Sequence, residues 1–324
     1  MIFVMPFFAR VAFFALAPLL VLIIGCAAPS EEGGSPHLTV AVVASEMAPA
    51  HLRRAARGGL QRIASDLDAE TVWVETRGSA EGRERIAEQA RLGTDLIFLV
   101  DRSFEQWATT EAASYPDSFF VVLPGTNRDA NVGSIRFAAE EAGFVAGATA
   151  AALTDSRRTA IIRGSGRLWL NALEDGWIAG FSSRRGRPQV EVISGPEEIT
   201  ALAGDGLEIA LYATDAVEAE ILQAAEASGV RLVVTQPALM READPTAVAA
   251  VHIDVPEAMV RVAREVRDGA PADRVFTFDF GSGVLAIEFN EVLEPADSER
   301  ARAASDEAQA EVTAGLVEFD EFGL

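Results

Sequence analysis

Short apolar runs recur along the chain, and a segment with helical periodicity follows most of them. The clearest are LIFLV at residues 96–100 and FFVVL at residues 119–123. A strand that is apolar on both faces belongs in a parallel sheet with helices on either side. With strands at residues 38–43 and 71–74 and helices at about 49–69, 79–92 and 102–114, these runs predict one α/β unit.

The same alternation restarts in the second half of the chain. We expect strands at residues 159–162, 190–193, 209–212, 232–234 and 248–252, and helices at 168–183, 215–228 and 256–268. A closing β ribbon is predicted to pair residues 275–278 with 284–289, with residues 279–283 (DFGSG) as its turn. An acidic helix over residues 298–316 ends the pattern.

Two successive α/β halves predict two lobes with a cleft between them. We place the first lobe at residues 37–134 and about 254–280, and the second at residues 135–253 and about 281–324. Ligands of open α/β sheets bind beyond the carboxyl ends of the strands. A hinged body of two lobes that closes on a ligand is the architecture of periplasmic binding proteins. The predicted fold class is therefore α/β, two-lobed and periplasmic-binding-protein-like (type I), with a parallel sheet flanked by helices in each lobe.

Residues 131–154 read as a strand that runs directly into a helix rich in alanine and glycine. Glu140 and Glu141 lie in the first helical turn, where the positive end of the helix dipole favours acids. The helix also carries small residues that let its backbone pack closely, which we expect to occur against a sheet: Gly143, Ala146, Gly147 and Ala148.

This segment resembles the form NVASxxFxxxEGxFLAGxxAA of the basic membrane protein, or PnrA-like, family of nucleoside-binding lipoproteins. The matching residues include Asn131, Val132, Ser134, Phe137, Glu141, Gly143, Phe144, Ala146 and Gly147. Two later segments are also similar, namely Arg163-Gly164 followed by residues 176–180 (GWIAG), and residues 250–269. The resemblance implies a substrate-binding lipoprotein of an ABC importer, with a small polar ligand and a permease as partners.

The residues that bind the nucleoside in that family are not retained in this sequence. The resemblance places those positions on His51, Leu52, Arg53, Pro124, Leu173, Gln236 and Ile253. Ribose hydroxyls need buried acceptors and purines need flat aromatic faces, which these residues do not supply in the family's arrangement. The ligand is therefore left open.

The N-terminus has the pattern of a bacterial lipoprotein signal. Arg10 precedes an apolar core, and residues 1–25 end in a glycine before Cys26, the single cysteine of the chain. We predict lipid attachment at Cys26, a flexible tether over residues 26–36, and a location on a membrane facing the periplasm or the cell exterior. An ordinary signal anchor with an incidental cysteine is the alternative.

Composition excludes several functional classes. The net charge is −22 and there is no lysine, so the chain repels nucleic acid and lacks the lysine of a Schiff base or a P-loop. His37, His51 and His252 share no metal-ligand spacing, and no nucleophile motif is present. We therefore expect neither an enzyme nor a cofactor.

Loops at the predicted strand ends supply the candidate residues of the cleft. They are Ser45, Glu46, Asp101, Arg102, Thr126, Trp169, Asn171, Asp215 and Gln236. Each has a structural alternative: Arg102 can pair with Asp101 or Glu105, Trp169 can pack within a lobe, and Asp215 can cap a helix. A second functional reading is a lipoprotein on the same scaffold that acts as a surface sensor or adhesin-like interaction protein.

Overall fold

Two six-stranded sheets organise the part of the chain that the computed structural model describes, which comprises residues 37–129, 131–164, 170–214, 216, 218–243, 245–269 and 275–319. No helix among these residues is long and apolar enough to cross a bilayer. The predicted signal at residues 1–25, Cys26 and the tether lie outside the described residues.

The first sheet has the strand order β11-β5-β4-β3-β1-β2, and all of its neighbours are parallel. Its strands are β1 (Thr39–Ser45), β2 (Glu70–Thr76), β3 (Leu96–Val100), β4 (Phe119–Val122), β5 (Val132–Phe137) and β11 (Val275–Phe278). The helices between them are α1 (Ala50–Leu67), α2 (Ser79–Arg91) and α3 (Glu105–Glu111). Every residue of β3 is buried, as expected for a central parallel strand.

The second sheet has the order β12-β10-β9-β8-β6-β7, in which only β12 is antiparallel to its neighbour. Its strands are β6 (Arg158–Arg163), β7 (Gln189–Ile193), β8 (Ile209–Ala213), β9 (Arg231–Val234), β10 (Ala247–Ile253) and β12 (Leu285–Phe289). The remaining helices are α4 (Ala139–Ala152), α5 (Leu170–Arg185), α6 (Pro196–Gly204), α7 (Ala219–Ser228), α8 (Pro237–Glu242), α9 (Val255–Arg267) and α10 (Pro295–Thr313).

The chain passes between the two sheets at three crossovers. The first runs from β5 through Ala138 into α4, and the second from β10 through Asp254 into α9, which packs on α1. The third runs from β11 through residues 279–284 into β12. Each crossover leaves the carboxyl end of a strand, so the carboxyl edges of both sheets adjoin the crossovers. The residue limits of the two lobes stay a prediction.

The predicted β ribbon at the C-terminus is wrong. Strand β11 pairs in parallel with β5 in the first sheet, whereas β12 pairs with β10 in the second. Residues 280–282 form a 3-10 turn in the third crossover instead of a hairpin turn. Two adjacent apolar runs have the same local pattern whether they pair with each other or join separate sheets. Their partners here, β5 and β10, are distant in the chain, so no local pattern identifies them.

Helices α4 and α5 pack with their backbones in contact. A methyl carbon built on Gly147 would lie 2.2 Å from the carbonyl oxygen of Trp177, and one on Gly180 would lie 1.9 Å from that of Phe144. Gly143 and Gly176 are equally close to the opposite helix. The small residues of α4 therefore serve helix–helix packing, and the expectation that they face a sheet is corrected.

Candidate ligand-binding site

Several of the predicted site residues lie at the carboxyl edges of the two sheets. Ser45 ends β1, Asp101 and Arg102 follow β3, and Thr126 follows the end of β4. In the second sheet, Gln236 follows β9. Because parallel strands present their carboxyl ends on one edge, each set lies on a single side of its sheet, at the place where α/β proteins bind ligands.

The first of these loops is stabilised by Ser45. Its side chain is buried, and its Oγ accepts a hydrogen bond from the backbone N–H of Met47 at 3.1 Å. The backbone N–H of Glu46 donates to the carbonyl of Thr76 at 2.8 Å, while its side chain is exposed. Ser45 thus shapes the loop, and Glu46 is the member of this pair whose side chain is accessible to a ligand.

At the end of β3, the structural alternatives for Asp101 and Arg102 are present. The carboxylate of Asp101 accepts from the N–H of Ser103 at 2.8 Å, which caps the short turn before α3. Arg102 lies 3.9 Å from Glu105 in a partly exposed ion pair, an interaction that contributes little stability. Thr126, two residues after the cis peptide between Leu123 and Pro124, is exposed.

Hydroxyl groups join the strand ends of the second sheet. Thr235 Oγ1 donates to the carbonyl of Thr214, and Thr214 Oγ1 donates to the carbonyl of Ala216 at 2.9 Å. The phenol oxygen of Tyr212 accepts from the N–H of Glu218 at 3.1 Å, and burial raises the pKa of Tyr212 to about 12. Gln236 is half-buried at the N-terminus of α8. The threonine hydroxyls at this edge therefore serve the fold.

Four of the predicted residues lie outside the described part of the structure. They are Cys26, Trp169, Asp215 and the side chain of Asn171. Helix α7 begins at Ala219, four residues later than the sequence pattern predicts.

His51, in the first turn of α1, is not among the cleft candidates, although the resemblance places one of the family's ligand positions on it. Burial, together with the nearby Arg54 guanidinium, lowers the pKa of His51 to about 4. The imidazole is therefore neutral at neutral pH. Its neighbour Arg53 forms an ion pair with Glu75 and donates through Nε to the carbonyl of Ala48 at 3.2 Å.

A second missed feature is a forked ion pair at the end of β6. Arg163 Nε lies 3.0 and 3.2 Å from the two carboxylate oxygens of Glu174, whose side chain is 7% exposed. These hydrogen bonds raise the pKa of the Arg163 guanidinium, and burial raises the pKa of the adjacent Asp175. The signal for this pair in the sequence is Arg163, which stands at a position where the PnrA-like family, according to the resemblance, has glycine.

An open cavity of about 290 Å³ lies between α2 and α3. Its lining includes Arg83, Gln106, Trp107, Thr110 and Glu111. Within the described ranges, no cluster of three or more His, Cys, Asp or Glu side chains has the geometry to hold a metal ion.

Comparison with known proteins shows which fold the chain has and which segment of it matches a family model. Residues 44–192 match the model of the family described as ABC transporter substrate-binding protein PnrA-like. The resemblance to the PnrA-like family is confirmed. The PnrA-like segment spans β1 to β7 and so includes the first crossover and the α4–α5 pair. Among curated proteins, none matches the chain by sequence.

Solved structures with the same fold include two ABC transporter solute-binding proteins. The protein from Conexibacter woesei is 16% identical with a TM-score of 0.68, and the match covers 89% of this chain and 100% of the Conexibacter chain. The protein from Aeropyrum pernix K1 is 17% identical with a TM-score of 0.66, and the match covers 87% of this chain and 93% of the Aeropyrum chain. A transcriptional activator of the comK gene from Bacillus halodurans is 21% identical with a TM-score of 0.71, and the match covers 86% of this chain and 98% of the activator chain.

These likenesses confirm the predicted α/β fold of type I periplasmic binding proteins. Leu173 is one of the positions on which the resemblance places the family's ligand residues, and in the structure it has a packing role. Leu173 is fully buried, and its carbonyl oxygen would lie 2.1 Å from a methyl carbon built on Gly143. This residue packs α5 against α4 and is not accessible to a ligand.

Proposed function

We propose that this chain is a membrane-anchored solute-binding lipoprotein that delivers a small polar ligand to an ABC permease. Two largely parallel sheets joined by three crossovers, together with the PnrA-like match over residues 44–192, carry this proposal. Closure of the lobes about the crossovers would enclose the ligand between the carboxyl edges of the sheets. The role is binding rather than catalysis, since the matching family consists of substrate-binding proteins.

The ligand is small and polar, and a nucleoside held in the family's manner is disfavoured. Leu173 is buried in the α4–α5 interface, and Arg53 is engaged by Glu75. The accessible candidates for polar contact are Glu46, Arg102 and Thr126 on one edge, with Gln236 on the other. Trp169, Asn171 and Asp215 remain proposed contacts from the sequence.

A thermal-shift screen against nucleosides, bases, sugars and amino acids tests this proposal. A ligand present at a hundredfold excess over its dissociation constant stabilises the folded protein by about 2.7 kcal/mol. We expect Arg102→Ala or Gln236→Ala to reduce the shift and Arg83→Ala, in the α2–α3 cavity, to preserve it. Loss of the shift only in Arg83→Ala would place the ligand outside the cleft, and no response to any compound would contradict the binding function.

The membrane anchor is tested separately on Cys26. Mass spectrometry of the protein purified from membranes should show a lipid-modified Cys26 as the N-terminal residue. The variant Cys26→Ser should be released from the washed membrane fraction. An unmodified thiol at Cys26 in the membrane-bound protein would contradict the lipoprotein assignment, while the ligand screen would stay informative.

The alternative function, a surface sensor or adhesin-like interaction protein, has one observation in its favour. Several polar groups at the strand ends are engaged within the protein, namely those of Ser45, Asp101, Thr214 and Thr235. Fewer side chains are then left to bind a solute. A flat response in the ligand screen, combined with a lipid-modified Cys26, would favour this alternative.

A further inference from the structure

The third crossover lies against the other two and is bonded to both. At its first end, the N–H of Ala138 in the first crossover donates to the carbonyl of Phe278 at 2.9 Å. At its far end, the N–H of Asp254 in the second crossover donates to the carbonyl of Val284 at 2.9 Å. The segment between Phe278 and Val284 is thus fixed at both ends by backbone hydrogen bonds.

Two side chains hold the middle of the same segment. The N–H of Phe280 donates to Glu141 Oε2 at 3.2 Å, and Arg261 Nη1 donates to the carbonyl of Ser282 at 2.7 Å. Within the turn, the N–H of Ser282 donates to Asp279 Oδ1 at 2.8 Å. Phe280 is buried, so the bonded turn has a defined position against the core.

These two side chains come from helices on different lobes. Glu141 is in the first turn of α4, which packs on α5 beside the second sheet. Arg261 is in α9, which packs on α1 beside the first sheet and is tied to it by the ion pair of Arg62 with Glu257 at 2.5 Å. Arg261 also pairs with Glu257 at 2.8 Å, which orients its guanidinium.

The surroundings of Glu141 disfavour the charged form of its carboxylate. Burial raises the pKa of Glu141, Asp279 and Glu140 act in the same direction, and the N–H of Phe280 and the Arg136 guanidinium oppose them. Arg136 is itself paired with Glu140. The carboxylate of Glu141 is partly desolvated and accepts a hydrogen bond from the backbone N–H of Phe280, which gives it a positioning role at that turn.

We infer that Glu141 and Arg261 are positioning residues for lobe closure, which they control by fixing residues 280–282 to both lobes at once. We call this arrangement the crossover clasp. Rotation of one lobe against the other moves α4 relative to α9, and the turn between them must then deform or lose one of the two bonds. The clasp thereby limits the range of lobe angles in the ligand-free protein. This inference rests on the proposed function, in which the lobes close on a ligand.

Amide hydrogen exchange at Phe280 in the full-length, ligand-free protein tests the bond itself. We expect Glu141→Ala to raise the exchange rate of the Phe280 amide about tenfold, because the acceptor is lost. Glu141→Gln keeps an acceptor oxygen and should remain within about twofold of the wild type. Glu140→Ala removes the same charge from the same helical turn and serves as the matched control.

The distance between the lobes tests the effect on closure. Spin labels at Leu92→Cys, at the end of α2, and at Val192→Cys, in the edge strand β7, report this distance in the full chain carrying Cys26→Ser. Both positions are exposed. We expect a broader distance distribution in Glu141→Ala and in Arg261→Met than in the parent. Arg264→Met, which removes an exposed charge from the same helix as Arg261, should leave the distribution unchanged.

An unchanged Phe280 exchange rate in Glu141→Ala would overturn the clasp. So would distance distributions in Glu141→Ala and Arg261→Met that match those of Glu140→Ala and Arg264→Met. Both measurements are made without ligand, so a failed ligand screen and a failed clasp are distinguishable results. If Glu141→Ala does not fold, Arg261→Met still decides the question through the distance distribution.

Discussion

His51 has an environment that opposes a positive charge on its imidazole. Burial is the larger effect and the Arg54 guanidinium the smaller, and together they lower the pKa of His51 from about 6.5 to about 4. The unfolded chain therefore binds more protons than the folded protein between these two pH values. The stability associated with neutral His51 is fully present above pH 6.5 and is lost as the pH falls towards 4.

We predict that His51→Gln flattens this part of the pH dependence. Between pH 7 and pH 4 the wild type should lose on the order of 2 kcal/mol of unfolding free energy through His51, after allowance for its partial contact with solvent. Glutamine at position 51 does not titrate between pH 7 and pH 4, so the variant should lose about 2 kcal/mol less unfolding free energy over this range. Urea unfolding at pH 7, 5.5 and 4 measures the difference, and parallel curves for both proteins would contradict the prediction.

The roles of single residues were only partly predictable from the sequence. The pattern of strand ends placed Asp101 and Arg102 in the correct loop, and the capping and ion-pair alternatives were foreseen. The Arg163–Glu174 fork was not, because its two members are 11 residues apart in the chain and no local pattern records their contact. Only the distance between their side chains, which depends on how α5 packs, reveals that the pair exists.

At the scale of elements, the contact between α4 and α5 depends on glycine. We predict that Gly147→Ala destabilises the protein by about 2 to 3 kcal/mol, because the added methyl group meets the backbone of α5 and the helices must separate. Gly58→Ala in α1 is the matched control. Its nearest contact would be an ordinary 3.7 Å, so the gain in helix propensity should stabilise by about 0.5 to 1 kcal/mol.

Thermal or chemical unfolding of the two glycine variants measures this contrast. A Gly147→Ala variant as stable as the Gly58→Ala control would show that α4 and α5 tolerate a wider spacing than their present backbone contact.

Element positions followed from periodicity, whereas element partners did not. The apolar run at residues 96–100 has the bounds of β3, because continuous burial leaves an unambiguous pattern. Helices α6 and α8 were not predicted, since they are short and lie between strands that already account for the apolar residues. The pairing of β11 with β5 was missed for a different reason, as the two strands are distant in the chain and nothing local records their contact.

At the scale of the whole molecule, charge is the dominant property. A net charge of −22 makes the folded protein repel itself, and dissolved salt screens that repulsion. We predict that raising KCl from 0.05 to about 1 M at pH 7 increases the melting temperature by roughly 2–4 °C, which corresponds to about 1 kcal/mol for a domain of this size.

The same salt titration near pH 4.5, where the net charge of the sequence is close to zero, is the control. There the melting temperature should respond weakly to KCl. An equal increase at both pH values would mean that salt acts through burial of apolar surface and not through the screening of charge.

The exchange of the last strands between the sheets affects how the polypeptide acquires its structure. Both β11 and β12 lie within the final fifty residues, and each is the outermost strand of a different sheet. A ribosome must therefore synthesise the chain beyond residue 275 before either sheet has its full set of strands. Until then the emerging chain lacks an edge strand of each sheet, so neither half can form its complete set of hydrogen-bonded strands.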